Sequence, residues 1–256
     1  MSAIAEPRPT ITEPPPASGR GCPLAVEPPT APLLNRVAAE LVGTAALVTV
    51  VVGSGIQATE LSQDVGLQLL ANSLATVFGL GVLILLLGPV SGAHFNPVVT
   101  LAEWWTDRRL TAREVAAYVA AQIVGAIGGA ILADAMFGEA LVSWSTHDRS
   151  AGHLLIGEVV ATAGLVLLIF GLARTDHLRF APVAVASYIG AAYWFTSSTS
   201  FANPAVTIGR AFTDTFAGIA PASLPGFLGA QLLGGALGLL LVALIFDHRR
   251  RTAGTK

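Results

Sequence analysis

Apolar residues gather along the chain into six stretches, around 34–55, 66–88, 115–137, 153–173, 181–196 and 226–246, separated by short polar or Gly/Pro-containing segments. A helix needs roughly 20 residues to cross about 30 Å of hydrocarbon, and all but the fifth stretch approach or exceed that length. The fifth is shorter and runs into the polar sequence TSSTS at 196–200. The pattern predicts an all-α membrane protein with six transmembrane helices. Composition agrees, with 53% of residues hydrophobic and only 12% charged, against roughly a quarter charged in soluble domains.

The chain ends read differently. Nine of the fifteen prolines fall within residues 1–32, which hold no continuous apolar run. This stretch is expected to be a disordered Pro-rich tail, and it lacks the apolar core of a signal peptide. The membrane domain is expected over 33–247, with a short basic tail over 248–256. The single cysteine, Cys22, lies in the first tail and rules out an internal disulfide or a cysteine metal cluster. A net charge of −2 makes no case for nucleic acid, and no nucleic-acid partner is expected. Twelve of the fourteen Lys and Arg fall on one side of a six-span arrangement, with only Arg149 and Arg210 opposite. That bias predicts that both termini are cytoplasmic, and the chain is expected in the cell (inner or plasma) membrane.

The sequence also repeats itself. Glu40 in AAELVGTAALV pairs with Glu158 in IGEVVATAGLV, Asn96 in FNPVVTLAEW with Asn203 in ANPAVTIGRA, and Gln122 in AAQIVGAIGGA with Gln231 in GAQLLGGALGL. The three anchors recur in the same order at offsets of 118, 107 and 109 residues. Each copy holds three spans, an odd number, so the second must enter the membrane from the opposite face. Such inverted repeats place a shared site near the bilayer midplane, commonly built from broken helices whose N-termini point at it.

The two Asn-Pro segments supply those broken helices. The roughly eight apolar residues that begin at Pro97, and those that begin at Pro204, are too few to cross a bilayer. Proline fits the first helical turn, where its missing N–H was unpaired anyway, and asparagine is a favoured N-cap. Both segments therefore read as short re-entrant half-helices. Each N-terminus carries about half a positive charge from its aligned peptide dipoles, so two facing each other repel cations. The asparagine side chains can offer N–H donors to a solute oxygen, and the extended residues before them expose carbonyls. Irregular backbone at this depth is tolerated where it lines a watery cavity.

Glu40 and Glu158 lie inside spans, where an ionisable group costs on the order of 2.5–3.5 kcal/mol by insertion scales and needs a partner. Their mirrored positions suggest that each braces one re-entrant loop through its backbone donors; a proton relay is the rival. His94 is read as a residue that holds its loop, with His153, His177 and His248 at solvated span ends. Trp104 and Trp105, beside Arg108 and Arg109, read as an interfacial anchor. Gly125, Gly128 and Gly129, mirrored by Gly234, Gly235 and Gly238, put small residues at helical spacing for close packing. With no Gly-rich phosphate loop, catalytic triad or metal-ligand cluster in the sequence, neither enzyme chemistry, a cofactor nor a bound metal is expected.

At these residues the chain resembles the major intrinsic protein family, the aquaporins and aquaglyceroporins, over roughly 34–246. SGAHFNPVVT at 91–100 is similar to the family's first loop, ANPAVT at 202–207 to its second, and the mirrored glutamates to its Glu pair. The resemblance implies an aquaporin-like fold of six spans and two half-helices, and a homotetramer in the lipid bilayer with a pore in every subunit. It implies a pore centre at Asn96, Pro97 and Val98 with Asn203, Pro204 and Ala205. Carbonyl-bearing approaches fall at Gly92, Ala93 and His94 and at Thr199, Phe201 and Ala202, with Ser200 in the same run. For the outer constriction it implies Thr76, or Phe78 by a different anchor, together with Gly190 or Ala191, Ser200 and Val206.

Two departures stand out. Val98 replaces the usual alanine of the first motif and adds bulk where the half-helices meet. Val206 stands three residues after Asn203, where the family generally carries an arginine. Arg210 lies one helical turn further on nearly the same face, and either supplies a charge at the outer mouth or ends the half-helix facing headgroups. The reading is a passive channel with a wide, weakly polar filter for small neutral solutes, namely water with glycerol-like polyols or neutral metalloid hydroxides such as arsenite. The alternatives are a water-selective aquaporin, a coupled secondary transporter and a non-conducting scaffold.

Overall fold

A computed structural model of the chain describes residues 31–106 and 110–246. The expected tail over 1–32, except its last two residues, and the tail over 248–256 lie outside the described residues, as do Cys22 and His248. The described residues form eight α-helices: α1 (Leu33–Leu61), α2 (Val65–Ser91), α3 (Pro97–Thr106), α4 (Ala112–Phe137), α5 (Gly152–Arg174), α6 (Ala181–Phe195), α7 (Pro204–Gly209) and α8 (Leu224–Phe246). Five are long and apolar enough to cross a membrane: α1, α2, α4, α5, and α8 with the turn before it. The fifth apolar stretch folds as α6, only 15 residues long, preceded by a 3-10 turn over Leu178–Phe180. At 1.5 Å and 2.0 Å rise per residue the two together reach about 28 Å, close to a bilayer's hydrocarbon thickness.

Small residues decide which helices touch. A side chain on Gly125 or Gly129 of α4 would strike the carbonyls of Leu41 and Ala45 on α1. One on Gly234 or Gly238 of α8 would strike the carbonyls of Val159 and Ala163 on α5. These contacts mirror each other, so α1 against α4 and α5 against α8 are two copies of one packing. Gly128, by contrast, has open space around it and plays no part. The half-helices sit between the copies. Gly209 of α7 rests against the backbone of Ala126 on α4, and Val98 of α3 packs into Gly235 on α8.

Val98 corrects one expectation. It is buried with Ala102, Val166, Phe170 and Val242, so its extra bulk fills the α3–α8 seam and does not project where the half-helices meet. The outer faces of the bundle carry exposed large apolar side chains, including Phe78, Trp105, Ile156 and Val183.

Candidate functional site

The re-entrant loops owe their shape to an unusual backbone. Ala93 and Phe95 in the first, and Ser200 and Ala202 in the second, all have φ between 48° and 50°. They stand three and one residues before Asn96 and Asn203 respectively. Non-glycine residues in this left-handed region cost on the order of 1–3 kcal/mol each and persist only where the surroundings over-determine them.

Here the two glutamates do so. Glu40 Oε1 accepts from the His94 amide (2.9 Å) and the Ser91 hydroxyl (2.6 Å), and its Oε2 accepts from the Phe95 amide (2.7 Å) and Gln122 Nε2 (2.8 Å). Glu158 Oε1 accepts from the Phe201 amide (2.9 Å), and its Oε2 from the Ala202 amide (2.9 Å) and Gln231 Nε2 (2.7 Å). Both carboxylates are fully buried. Gln122 also donates to Thr100 and Gln231 to Thr207, at 3.0 Å and 2.8 Å, which ties each glutamate to its half-helix. The glutamines had signalled themselves in the sequence as repeat anchors, and the threonines as the shared letter of VVT and AVT; their common target was not legible there.

Each half-helix begins at its asparagine. Asn203 caps α7, its Oδ1 accepting from the Ala205 and Val206 amides, and Asn96 Oδ1 accepts from the Val98 amide (2.9 Å). The remaining side-chain atoms cross the repeat axis. Asn96 Nδ2 donates to the Ala202 carbonyl (2.8 Å) and Asn203 Nδ2 to the Phe95 carbonyl (2.7 Å). An amide NH2 has two donors and each crossing uses one. Both half-helix N-termini therefore converge on one place, each with a side-chain N–H to spare.

A cavity of about 490 Å³ passes this place, from Leu110, Glu103 and Arg179 at one end to Tyr193, Ser200 and Arg210 at the other. Asn96, Asn203, Gly92, Ala93, His94, Phe201, Ala202, Ser200, Val206 and Thr76 all line it. Pro97, Pro204 and Ala205 are buried and stand off the lining, behind the asparagines, and Thr199 is also off it. Much of the remaining wall is aliphatic, with Leu47, Val51, Leu80, Val99 and Leu165. His94 bridges Thr100 and Glu103 through its two ring nitrogens, at 3.1 Å and 2.6 Å, and sits edge-on to Tyr118. His153 and His177 are exposed.

At the Arg210 end the lining differs from expectation. Thr76 faces the cavity while Phe78, two residues and about 200° around α2, is 69% exposed on the outer surface. On α6 the lining residues are Ala181 and Pro182 at its start, then Val185, Ile189 and Tyr193 along one face at helical spacing. Gly190 and Ala191 are not on it. Gly190 packs against Val77 of α2, and Ala191 is exposed. Each step along a helix turns about 100°, so a displacement of one or two residues moves a side chain off the face. Tyr193, which the sequence reading passed over, is 4% exposed, and its hydroxyl lies 3.1 Å from that of Thr76. The wall here is thus not made only of small or aliphatic groups.

Arg210 also points inward. It is 4% exposed and lines the cavity, its Nε donates to the Ala217 carbonyl, and its guanidinium carbon lies 3.4 Å from the centre of the Phe201 ring. Among the described residues no group of three or more metal-ligating side chains comes together.

Comparison with known proteins fits this geometry. The family described as major intrinsic protein matches residues 28–202. An aquaglyceroporin, AqpS, from Rhizobium meliloti (strain 1021) is 48% identical over 218 residues, covering 85% of this chain and 93% of that one. Aquaporin NIP1-1 of Oryza sativa subsp. japonica is 35% identical over 178 residues, 66% of this chain and 57% of the relative. The aquaglyceroporin from Plasmodium falciparum, a solved structure, shares the fold at a TM-score of 0.60 with 19% identity, over 87% of this chain and 98% of its own. With its mirrored spans, paired half-helices and crossed asparagines, the chain belongs to the major intrinsic protein family.

Proposed function

We propose that the chain is a passive, multi-pass membrane channel for water and small neutral solutes such as glycerol, with neutral metalloid hydroxides in the same size class. The observation that carries this reading is the crossed pair Asn96–Ala202 and Asn203–Phe95, where two half-helix N-termini converge on one cavity. Opposed positive dipoles repel cations, while spare N–H donors and loop carbonyls replace part of a neutral solute's hydration. The aliphatic remainder of the wall makes an ion's dehydration expensive. The aquaglyceroporin and aquaporin relatives support the same cargo. No catalytic step is needed, and the channel is not an enzyme. Glu40 and Glu158 act as braces for the loops, and Thr76, Tyr193, Ser200 and Val206 with Arg210 as the narrow region at one end.

The homotetramer that the family resemblance implies and a place in the plasma membrane belong to the same proposal, and the charge bias supports both termini in the cytoplasm. A water-selective channel is the second reading, favoured by Tyr193 and Arg210 on the lining. Stopped-flow swelling of proteoliposomes with water, glycerol and urea, together with conductance, tests both. Glycerol flux well above that of empty vesicles, with no proton or sodium current, is expected; water flux alone selects the second reading, and no flux or large ion current overturns both.

A further inference from the structure

Arg149 shares the ring of Phe201 with Arg210. It enters from the connection between α4 and α5, with its amide donating to Ser223 Oγ (2.9 Å) and its Nε to the Gly218 carbonyl (2.9 Å), and its guanidinium carbon lies 5.1 Å from the Phe201 centroid. Arg210 takes the adjacent carbonyl, that of Ala217. Two successive carbonyls and one aromatic ring therefore fix two guanidiniums. Only glycine fits at 218, where a side chain would strike Ser145 Oγ and the Thr213 carbonyl (2.6 Å). Phe201 is in turn fixed through its own amide by Glu158 and through its ring by Phe227, edge-on at 5.2 Å.

No carboxylate hydrogen-bonds to either guanidinium among the described residues. The nearby Glu158 has both oxygens occupied by Phe201, Ala202 and Gln231. Asp148 is taken by Ser150 and Ser223, and Asp214 by Thr146. The terminal amino groups of Arg210 have no partner among the described residues and are not among the enclosed unpaired atoms, so they open into the cavity. A buried cation with no carboxylate hydrogen-bonded to it, anchored so that its free donors face a solute path, is built to meet an acceptor that arrives by that path.

We infer that Arg210 is the specificity-determining cation of this mouth, set there by Phe201 and the Ala217 carbonyl with Arg149 as the positioning residue beside it, and that it selects solutes rich in oxygen acceptors. This rests on the channel reading above. Val206 lines the same stretch but offers only an isopropyl group, so the donors that a passing hydroxyl can use come from one turn further along. The guanidinium also occupies width that a bulky solute needs. Removing it lets solutes larger than water, and solutes poorer in acceptors, pass more freely.

The test is the glycerol-to-water and urea-to-water permeability ratio of the full chain in matched proteoliposomes. Arg210→Gln, which reaches only as far as the Nε and so can keep an N–H for Ala217 while removing the cation, should raise the urea-to-water ratio about three- to tenfold and the glycerol-to-water ratio by a smaller factor, both more than Val206→Ala does. Arg210→Lys should bring them back toward wild type, a rescue that a packing role would not give. Arg149→Leu should move them the same way by a smaller factor. Equal ratios in wild type and Arg210→Gln, or a larger shift from Val206→Ala, overturn the inference. If Arg210→Gln fails to assemble, Arg210→Lys against Arg149→Leu decides: ratios unmoved in both overturn it, and a shift in Arg149→Leu supports it. Wild-type vesicles that pass neither water nor glycerol would overturn the channel reading itself, a different failure from a conducting wild type whose ratio ignores Arg210.

Discussion

Replacing Glu158 tests how the second loop is held, and the hydrogen bonds allow the outcome to be graded. In Glu158→Gln the side chain keeps its shape and one oxygen. With that oxygen at the Oε2 position it retains the Ala202 amide and Gln231 but turns an NH2 toward the Phe201 amide. Stranding that buried N–H costs about 1–3 kcal/mol, and the two surviving bonds each lose about 1 kcal/mol of charge assistance. Against this, the neutral amide escapes most of the 2.5–3.5 kcal/mol or so that insertion scales assign to an ionised group in the membrane. The balance is a net loss of about 1–2 kcal/mol, which lowers Tm by roughly 2–8 °C for a chain of this size.

Glu158→Ala strands all three donors and leaves a cavity, for a loss of about 3–6 kcal/mol. Melting of the purified protein in detergent, monitored by intrinsic fluorescence and by size, should rank wild type above Glu158→Gln above Glu158→Ala. Glycerol flux per folded channel should follow the same order, because the Ala202 carbonyl that receives Asn96 moves with the loop. If Glu158→Ala melted and conducted like wild type, the carboxylate would not be what holds the left-handed turns at Ser200 and Ala202 in place.

Asn203→Asp should abolish selectivity or assembly, since it sets a carboxylate oxygen against the Phe95 carbonyl now 2.7 Å from Nδ2 and removes the pore-facing donors; a normally assembled variant with unchanged selectivity would refute this. Val206→Arg adds a second long cation one turn from Arg210 and should lower glycerol flux more than water flux in swelling assays, and a glycerol-to-water ratio at or above wild type would count against Val206 facing the solute. Gly209→Val drives a side chain onto the Ala126 backbone, where a Cβ would already stand 2.6 Å from the carbonyl oxygen, and should destabilise the protein by about 1–3 kcal/mol or more in thermal melts. The connection holding Arg149 should resist acid well below neutrality. The Thr146 amide, donating to Asp214, is the largest cause holding that carboxyl below its ordinary value, so the stabilisation is present above about pH 4 and is lost only as pH falls through the depressed value. Hydrogen exchange at Thr146 should stay protected from pH 8 to 5, and protection already lost at pH 5 would refute the assignment.

Much of this protein was determined by sequence alone, through features that are one-dimensional and doubled. Span length follows from hydropathy, the inverted repeat from the paired Glu, Asn-Pro and Gln anchors, and half-helix starts from Asn-Pro chemistry. Close-packing positions such as Gly125 and Gly234 were readable for the same reason, since each copy vouches for the other and only glycine lets two backbones meet there. Tertiary structure decided what depends on the rotation of an element about its own axis. Packing of α6 against α2 and α5 turns Ile189 and Tyr193 to the cavity and Gly190 and Ala191 away from it, a matter of about 100° per residue that no count from Asn203 contains. The same holds for Val98, whose placement on the α8 seam follows from where Gly235 lies. Arg210 is the clearest instance: its long side chain could leave α7 toward headgroups or toward the path, and the choice was made by an aromatic ring at Phe201 and a carbonyl at Ala217, which only the fold brings to it.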